Sequence, residues 1–186
     1  VQEPAEIPLP LFVEGVRVEL VGRTVGEWME RFRRSQPRWV YSFLEGQVLH
    51  DREGALAGLV EAARRRYETY RTPTEVVDRL LNWWEQIAPK HRNALSHGDE
   101  LRSGLTAAFV SDIFETLYAV NNRPFPPSSL WLDKLGELSE PPGHMDLVRR
   151  WLTSESVGAR LNAQIELLDA LIHRLSVAAS PPRRNP

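Results

Sequence analysis

From Gly54 onward the apolar residues recur at helical spacing for almost the whole remaining chain, which restricts that part to packed amphipathic helices. Leu56, Leu59, Val60, Ala63 and Tyr67 share one face, with Arg64, Arg65 and Arg66 on the other side. Thr72-Pro73-Thr74-Glu75 reads as a helix start: a Thr N-cap, Pro at the first position and Glu at the third. Val76, Leu80, Trp83, Trp84 and Ile87 then form a wide stripe up to Pro89, where the helix is expected to end or kink. Asp99 suits the cap of a segment through Leu101, Leu105, Ala108, Phe109, Ile113, Leu117 and Val120, predicting one helix of about six turns. Asn121 and Asn122 fit its C-terminus, and Pro124, Pro126 and Pro127 forbid its continuation. Two shorter helices are expected near residues 129–138 and 144–152. A last long one follows on Val157, Leu161, Ile165, Leu168, Ile172 and Leu175.

The first 54 residues read differently. Residues 2–10 are rich in proline and acid and are expected to form an extended arm. Residues 16–21 alternate as a strand, with Val16, Val18 and Leu20 on one face and Arg17, Glu19 and Val21 on the other. Thr24 and Glu27 make a capping box, and Val25, Trp28, Met29 and Phe32 form a helical stripe that Pro37 stops. Trp39, Val40, Phe43 and Leu44 suggest a short helix ended by Gly46, and residues 47–50 a short strand. The expected class is therefore mainly α: a small α/β segment at 1–54, an antiparallel helical bundle at 55–179, and a disordered tail at 180–186.

Bulk properties limit what the local signals can mean. With 186 residues and 42% hydrophobic content the chain can bury a real core. A formal charge of −2 gives no global attraction to nucleic acid or an anionic membrane, so such binding would need a local patch. No apolar run approaches the roughly 20 residues of a membrane span, and no signal peptide is recognisable, so a cytoplasmic location is expected. The absence of cysteine excludes disulfides, iron–sulfur clusters and cysteine zinc sites. The chain opens on Val1 and not Met, as expected of a processed product, a fragment or part of a longer protein.

A sparse set of positions carries a family resemblance. It comprises Glu19 between Val18 and Leu20, Glu27-Trp28, Trp39-x-Tyr41, Gly46-Gln47-Val48-Leu49-His50-Asp51, Gly98-Asp99 and the turn Asn121-Asn122-Arg123-Pro124-Phe125-Pro126. Their order resembles the C-terminal part of DNA polymerase β-type nucleotidyltransferases together with their helical domain. The resemblance implies metal-dependent transfer of a nucleoside monophosphate from a nucleoside triphosphate to a hydroxyl acceptor. Glu19 would be the third carboxylate that activates the acceptor, and Arg34, Arg38, Trp39, Asp99, Asn122 and Arg123 would bind nucleotide or substrate. The departures are specific. No Gly-Ser turn and no Asp-x-Asp occur, and Leu130 stands where the family often carries lysine. Holding two Mg²⁺ ions takes about three carboxylates, so Mg²⁺ is implied only with carboxylates this chain lacks. As it stands, the chain is expected to be inactive in that reaction.

Other residues bear competing readings. Asp51-x-Glu53 has metal-pair spacing, but its place before Gly54 is that of a turn. Arg31, Arg33, Arg34 and Arg38 surround a helix end, where they could meet phosphate or form a solvated face. Trp28, Trp83, Trp84, Trp131 and Trp151 lie on apolar stripes as core residues would, and Trp39 is left open. The five histidines show no zinc-ligand spacing. The run from Arg92 to His97 fits the Arg-x4-His pattern and resembles HEPN-type ribonucleases, which implies His97 as base on a ribose 2′-hydroxyl and Arg92 as stabiliser of the scissile phosphate. The alternative is that Lys90, His91 and Arg92 are cations near a helix end and that His97 occupies the place before Gly98-Asp99 where bundles of the resembled family often carry a basic residue. A third expectation is a non-catalytic helical module that pairs with a separate nucleotidyltransferase subunit. Nucleic-acid binding and a homodimer are left open, and no membrane partner is expected.

Overall fold

The structure, a computed structural model, describes residues 11–18, 22–33, 37–51 and 53–179. The chain is mainly helical and divides into two compact units, Val1–Arg66 and Tyr67–Pro186, which meet inside a helix. The expected arm at 2–10 and tail at 180–186 lie outside the described residues. Among those described, no helix is long and apolar enough to cross a membrane.

The first unit opens with a hairpin. Strand β1 (Leu11–Val13) pairs antiparallel with β2 (Val16–Val18), with Phe12 opposite Arg17. Glu14 and Gly15 between them both take positive φ, as a two-residue turn matched to strand twist requires. Helix α1 (Val25–Arg33) starts where the capping box places it. Thr24 N–H donates to Glu27 Oε2 at 2.7 Å and Glu27 N–H donates to Thr24 Oγ1 at 3.2 Å, so two otherwise orphaned donors are satisfied reciprocally. A 3-10 turn at Pro37–Trp39 leads into α2 (Val40–Leu44). The helix ends before Gly46, at a position where the backbone passes so close to the Ser42 carbonyl that a Cβ would run into it. Phe32, Val40 and Tyr41 are buried, while Trp28 meets Trp39 and Phe43 edge-on at 5.5 and 5.0 Å. Residues 46–50 are not a strand: the backbone there has no pairing partner among the described residues, and Leu49 is 88% exposed. Asp51 Oδ2 instead accepts the Leu56 and Ala57 N–H groups, at 3.0 and 3.2 Å, at the start of α3 (Ala55–Glu68).

The second unit is arranged around α8 (Val157–Ala179). Leu161, Gln164, Leu168, Leu171 and Leu175, with Ala163 and Leu167 beside them, are all essentially inaccessible. A face that wide needs cover on several sides, and α4 (Thr74–Ala94), α5 (Asp99–Ala107), α6 (Val110–Val120) and α7 (His144–Thr153) all contact it. Trp84, Phe114, Leu117, Tyr118 and Trp151 fill the core. Its indoles are satisfied: Trp84 Nε1–H donates to Thr116 Oγ1 at 2.7 Å, and Trp151 Nε1–H to the Thr106 carbonyl at 3.0 Å.

Four helix expectations for this unit need correction. Helix α4 passes through Pro89 to Ala94, because Ile87, Ala88, His91 and Ala94 are buried on its packed face while exposed Pro89 leaves the carbonyl it cannot serve near water. The single helix expected from Asp99 breaks at Ala108 and Phe109, where Phe109 takes φ 61°. Its ring lies 5.9 Å from Trp83, 6.3 Å from Trp84 and 5.6 Å from His91, an aromatic gain set against a left-handed cost of about 1–2 kcal/mol. Thr72 does not cap α4: its hydroxyl donates to the Ala119 carbonyl at 2.6 Å, and Pro73 occupies the cap position. The helix expected over 129–138 consists of 3-10 turns, Ser128–Leu130 and Leu135–Glu137.

Two stability predictions follow from the core. Thr116→Val keeps the shape but strands the Trp84 N–H, so a loss of about 1–3 kcal/mol is expected in urea unfolding. His91 is fully buried, its Nδ1 lies 3.2 Å from the Ile87 carbonyl and its Nε2 has no partner among the described residues. Burial holds its pKa below the ordinary value of 6.5, against the opposing pull of the Ile87 carbonyl. Below 6.5 the unfolded chain therefore binds the proton more readily, and stability falls with acidification until the lowered folded value is passed. Unfolding at pH values between about 7 and 5 is expected to show this decline in the wild type, and a flatter curve in His91→Gln.

Candidate functional site

The turn after α6 is fixed by its own amides. Asn122 takes φ 51°, Asn122 N–H donates to the Ala119 carbonyl at 3.0 Å, and Arg123 N–H reaches the Tyr118 carbonyl at 3.0 Å, the paired bonds of a Schellman cap. Asn121 brackets a distant segment. Its Nδ2 donates to the Leu117 and Glu140 carbonyls at 2.7 and 2.6 Å, and its Oδ1 accepts Ser139 and Glu140 N–H at 2.8 and 2.9 Å. Trp131 stacks on Phe114 and on Phe125, both at 5.2 Å, and donates Nε1–H to the Pro126 carbonyl at 3.0 Å. Both asparagines thus serve the C-terminus of α6, as expected. Asn122 Oδ1 is taken by the Thr72 N–H at 3.1 Å.

Beside this turn stands a polar cluster. The Tyr67 hydroxyl donates to Glu137 Oε2 at 2.5 Å, Lys134 Nζ lies 3.0 Å from Glu137 Oε1, and the Arg123 guanidinium sits 4.8 Å above the Tyr67 ring. Burial, then the Glu137 carboxylate, pushes the Tyr67 phenol up to about 12. Burial alone would raise Glu137, but the hydrogen bonds from Tyr67 and Lys134 prevail and hold it below the usual carboxylate value. At neutral pH the cluster is a neutral phenol donating to a charged carboxylate. Its chemistry is that of a fixed hydrogen bond rather than of a base poised to take a proton.

The two residues of the ribonuclease pattern lie in the last turn of α4 and just past its end, and each has its own partner. Arg92 forms an ion pair with Asp169 of α8. His97 lies past the helix end, its Nδ1 2.9 Å from the Asn93 carbonyl. Arg102 Nη2 donates to the Leu95 carbonyl at 2.6 Å and the Ser96 hydroxyl to the Asn93 carbonyl at 2.8 Å, so side chains satisfy carbonyls that a helix terminus leaves orphaned. Asp99 is the first residue of α5, after Gly98 in the cap position.

In the first unit Trp39 and Arg38 come together. The Arg38 guanidinium lies 5.7 Å from the Trp39 ring centre and that of Arg31 lies 5.2 Å from it. Glu19 and Arg34 lie outside the described residues. Among the described residues no group of three His, Asp or Glu side chains could hold a metal ion. The tryptophans divide: Trp84 and Trp151 are core as expected, Trp28, Trp39 and Trp131 are half-buried, and Trp83 is at the surface beside Phe109. Sequence reasoning does not single out Tyr67, Glu137, Asp169 or Arg102 as members of these clusters. The Tyr67–Glu137 and Arg92–Asp169 pairs span 70 and 77 residues, a separation at which no spacing rule applies. No protein-family model, curated protein or solved structure matches the chain.

Asn121→Ala is expected to lower stability by about 2–4 kcal/mol, since it removes five hydrogen bonds, four of them to backbone groups, and leaves partly buried backbone groups unpaired. Arg92→Gln, at an exposed ion pair, is expected to cost less than about 1 kcal/mol. Urea unfolding of both variants measures the difference.

Proposed function

We propose that the chain is a non-catalytic helical module: an antiparallel bundle built on α8 that pairs with a separate nucleotidyltransferase-type subunit. One observation carries this reading. Arg92, His97, Asn122 and Asp51, which the catalytic alternatives call on, each have a partner within the fold. Arg92 is paired with Asp169, His97 is set against the Asn93 carbonyl, and Asn122 receives the Thr72 amide. Asp51, half of the candidate carboxylate pair, caps α3. A nucleotidyl transfer through Glu19 would need Mg²⁺ and carboxylates from elsewhere. What supports the choice of partner is the order of Asn121, Arg123, Pro126 and Trp131, which resembles the helical domains of that superfamily.

The test uses the purified chain in two assays. With a labelled nucleoside triphosphate and Mg²⁺ no transfer to a hydroxyl acceptor is expected. With labelled RNA no cleavage that responds to His97→Ala or Arg92→Ala is expected. RNA cleavage abolished by His97→Ala would overturn the proposal in favour of the ribonuclease; chelator-sensitive nucleotidyl transfer would overturn it in favour of the transferase.

A further inference from the structure

Residues 23–38 hold five arginines, Arg23, Arg31, Arg33, Arg34 and Arg38, against two acids, Glu27 and Glu30, a local charge of +3 in a chain whose total is −2. Both acids are engaged. Glu27 closes the capping box with Thr24, and Glu30 lies 3.5 Å from Arg33. Among the described residues neither Arg31 nor Arg38 is ion-paired. Their guanidinium groups rest on indoles: Arg31 lies 5.7 Å from the Trp28 ring centre and 5.2 Å from that of Trp39, and Arg38 lies 5.7 Å from Trp39. The rings are themselves fixed, Trp28 by Trp39 and Phe43, and Phe43 by Phe32 at 5.3 Å.

An indole beneath a guanidinium fixes its plane and leaves its N–H edge for a bidentate acceptor. Phosphate oxygens match that edge. Two such forks on one indole call for two phosphates close together, which a phosphodiester chain supplies and an isolated anion does not. Guanidinium planes also offer surfaces on which unstacked bases can lie, a feature of single-strand recognition. We propose that the Arg31–Trp39–Arg38 face of the first unit binds single-stranded nucleic acid through its phosphates. The proposal concerns Val1–Arg66 and is independent of whether the helical unit is catalytic.

Fluorescence anisotropy with the full chain and a labelled single strand of about 20 nucleotides, at salt from about 50 to 200 mM, tests it. The wild type binds, with affinity falling as salt rises. Arg31→Gln/Arg38→Gln is expected to bind at least about tenfold more weakly and to reduce the salt slope by about 1.4, at about 0.7 for each phosphate no longer neutralised. Arg31→Lys/Arg38→Lys retains the slope but binds more weakly, because charge remains without the planar fork. If circular dichroism shows the Gln variant unfolded, the Lys variant and competition by duplex decide. The proposal is overturned by salt-insensitive or absent binding, or by folded variants that bind as the wild type does. A duplex of the same sequence, or phosphatidylserine vesicles, competing as well as the single strand also overturns it.

Discussion

The second unit depends on the burial of α8. Leu161, Gln164, Leu168, Leu171 and Leu175 follow one another at alternating steps of three and four, and Ala163 and Leu167 widen that seam into a face. Each buried leucine contributes about 1.5–3 kcal/mol, and no single neighbouring helix can cover them all. Helices α4, α5, α6 and α7 therefore all contact α8. Gln164 shows the cost of this arrangement. Its Nε2 is used at 3.3 Å by the Leu105 carbonyl of α5, while its buried Oε1 has no protein partner.

Features set by neighbouring residues are legible in the sequence. The Thr24–Glu27 box, the Asn121–Asn122 helix end and the stripes of α7 and α8 are local chemistry, and local spacing reports them. The features that spacing misses are decided by tertiary contacts. Nothing in the local sequence says that Phe109 will turn left-handed to meet Trp83, Trp84 and His91, since the pattern through it is as helical as any other. Pro89 reads as a stop or a kink because proline removes a hydrogen bond, and the helix runs on through it where the residues around it are buried on one face. Thr72 satisfies every rule for an N-cap and is drawn off by the Ala119 carbonyl, 47 residues away.

The candidate site is legible to a smaller degree. Sequence patterns place residue types at spacings, whereas chemistry depends on what those side chains are free to do. Arg92 and His97 stand at the spacing of a ribonuclease pair, yet Arg92 is paired with Asp169, and a helix C-terminus leaves four carbonyls in want of donors that nearby side chains supply. His97, Ser96 and Arg102 act on those carbonyls together, which no six-residue pattern encodes. Asp51 repeats the same competition at an N-terminus, where two amides claim a carboxylate whose spacing to Glu53 suggests metal.

Four arginines of the second unit and two of the first are held in different ways, and the difference has a physical basis. In the second unit Arg79, Arg92, Arg150 and Arg174 are matched by Glu115, Asp169, Glu166 and Glu140 on other elements, so their charge is neutralised where it stands. In the first, Arg31 and Arg38 lie on tryptophan faces. A ring quadrupole orients a guanidinium but carries no net charge, so the field of the cation persists beyond the ring. A carboxylate would fill the N–H edge and cancel that field in one step. Holding arginine by indole therefore leaves a cation whose field can still attract an anion, even though the chain as a whole is negative.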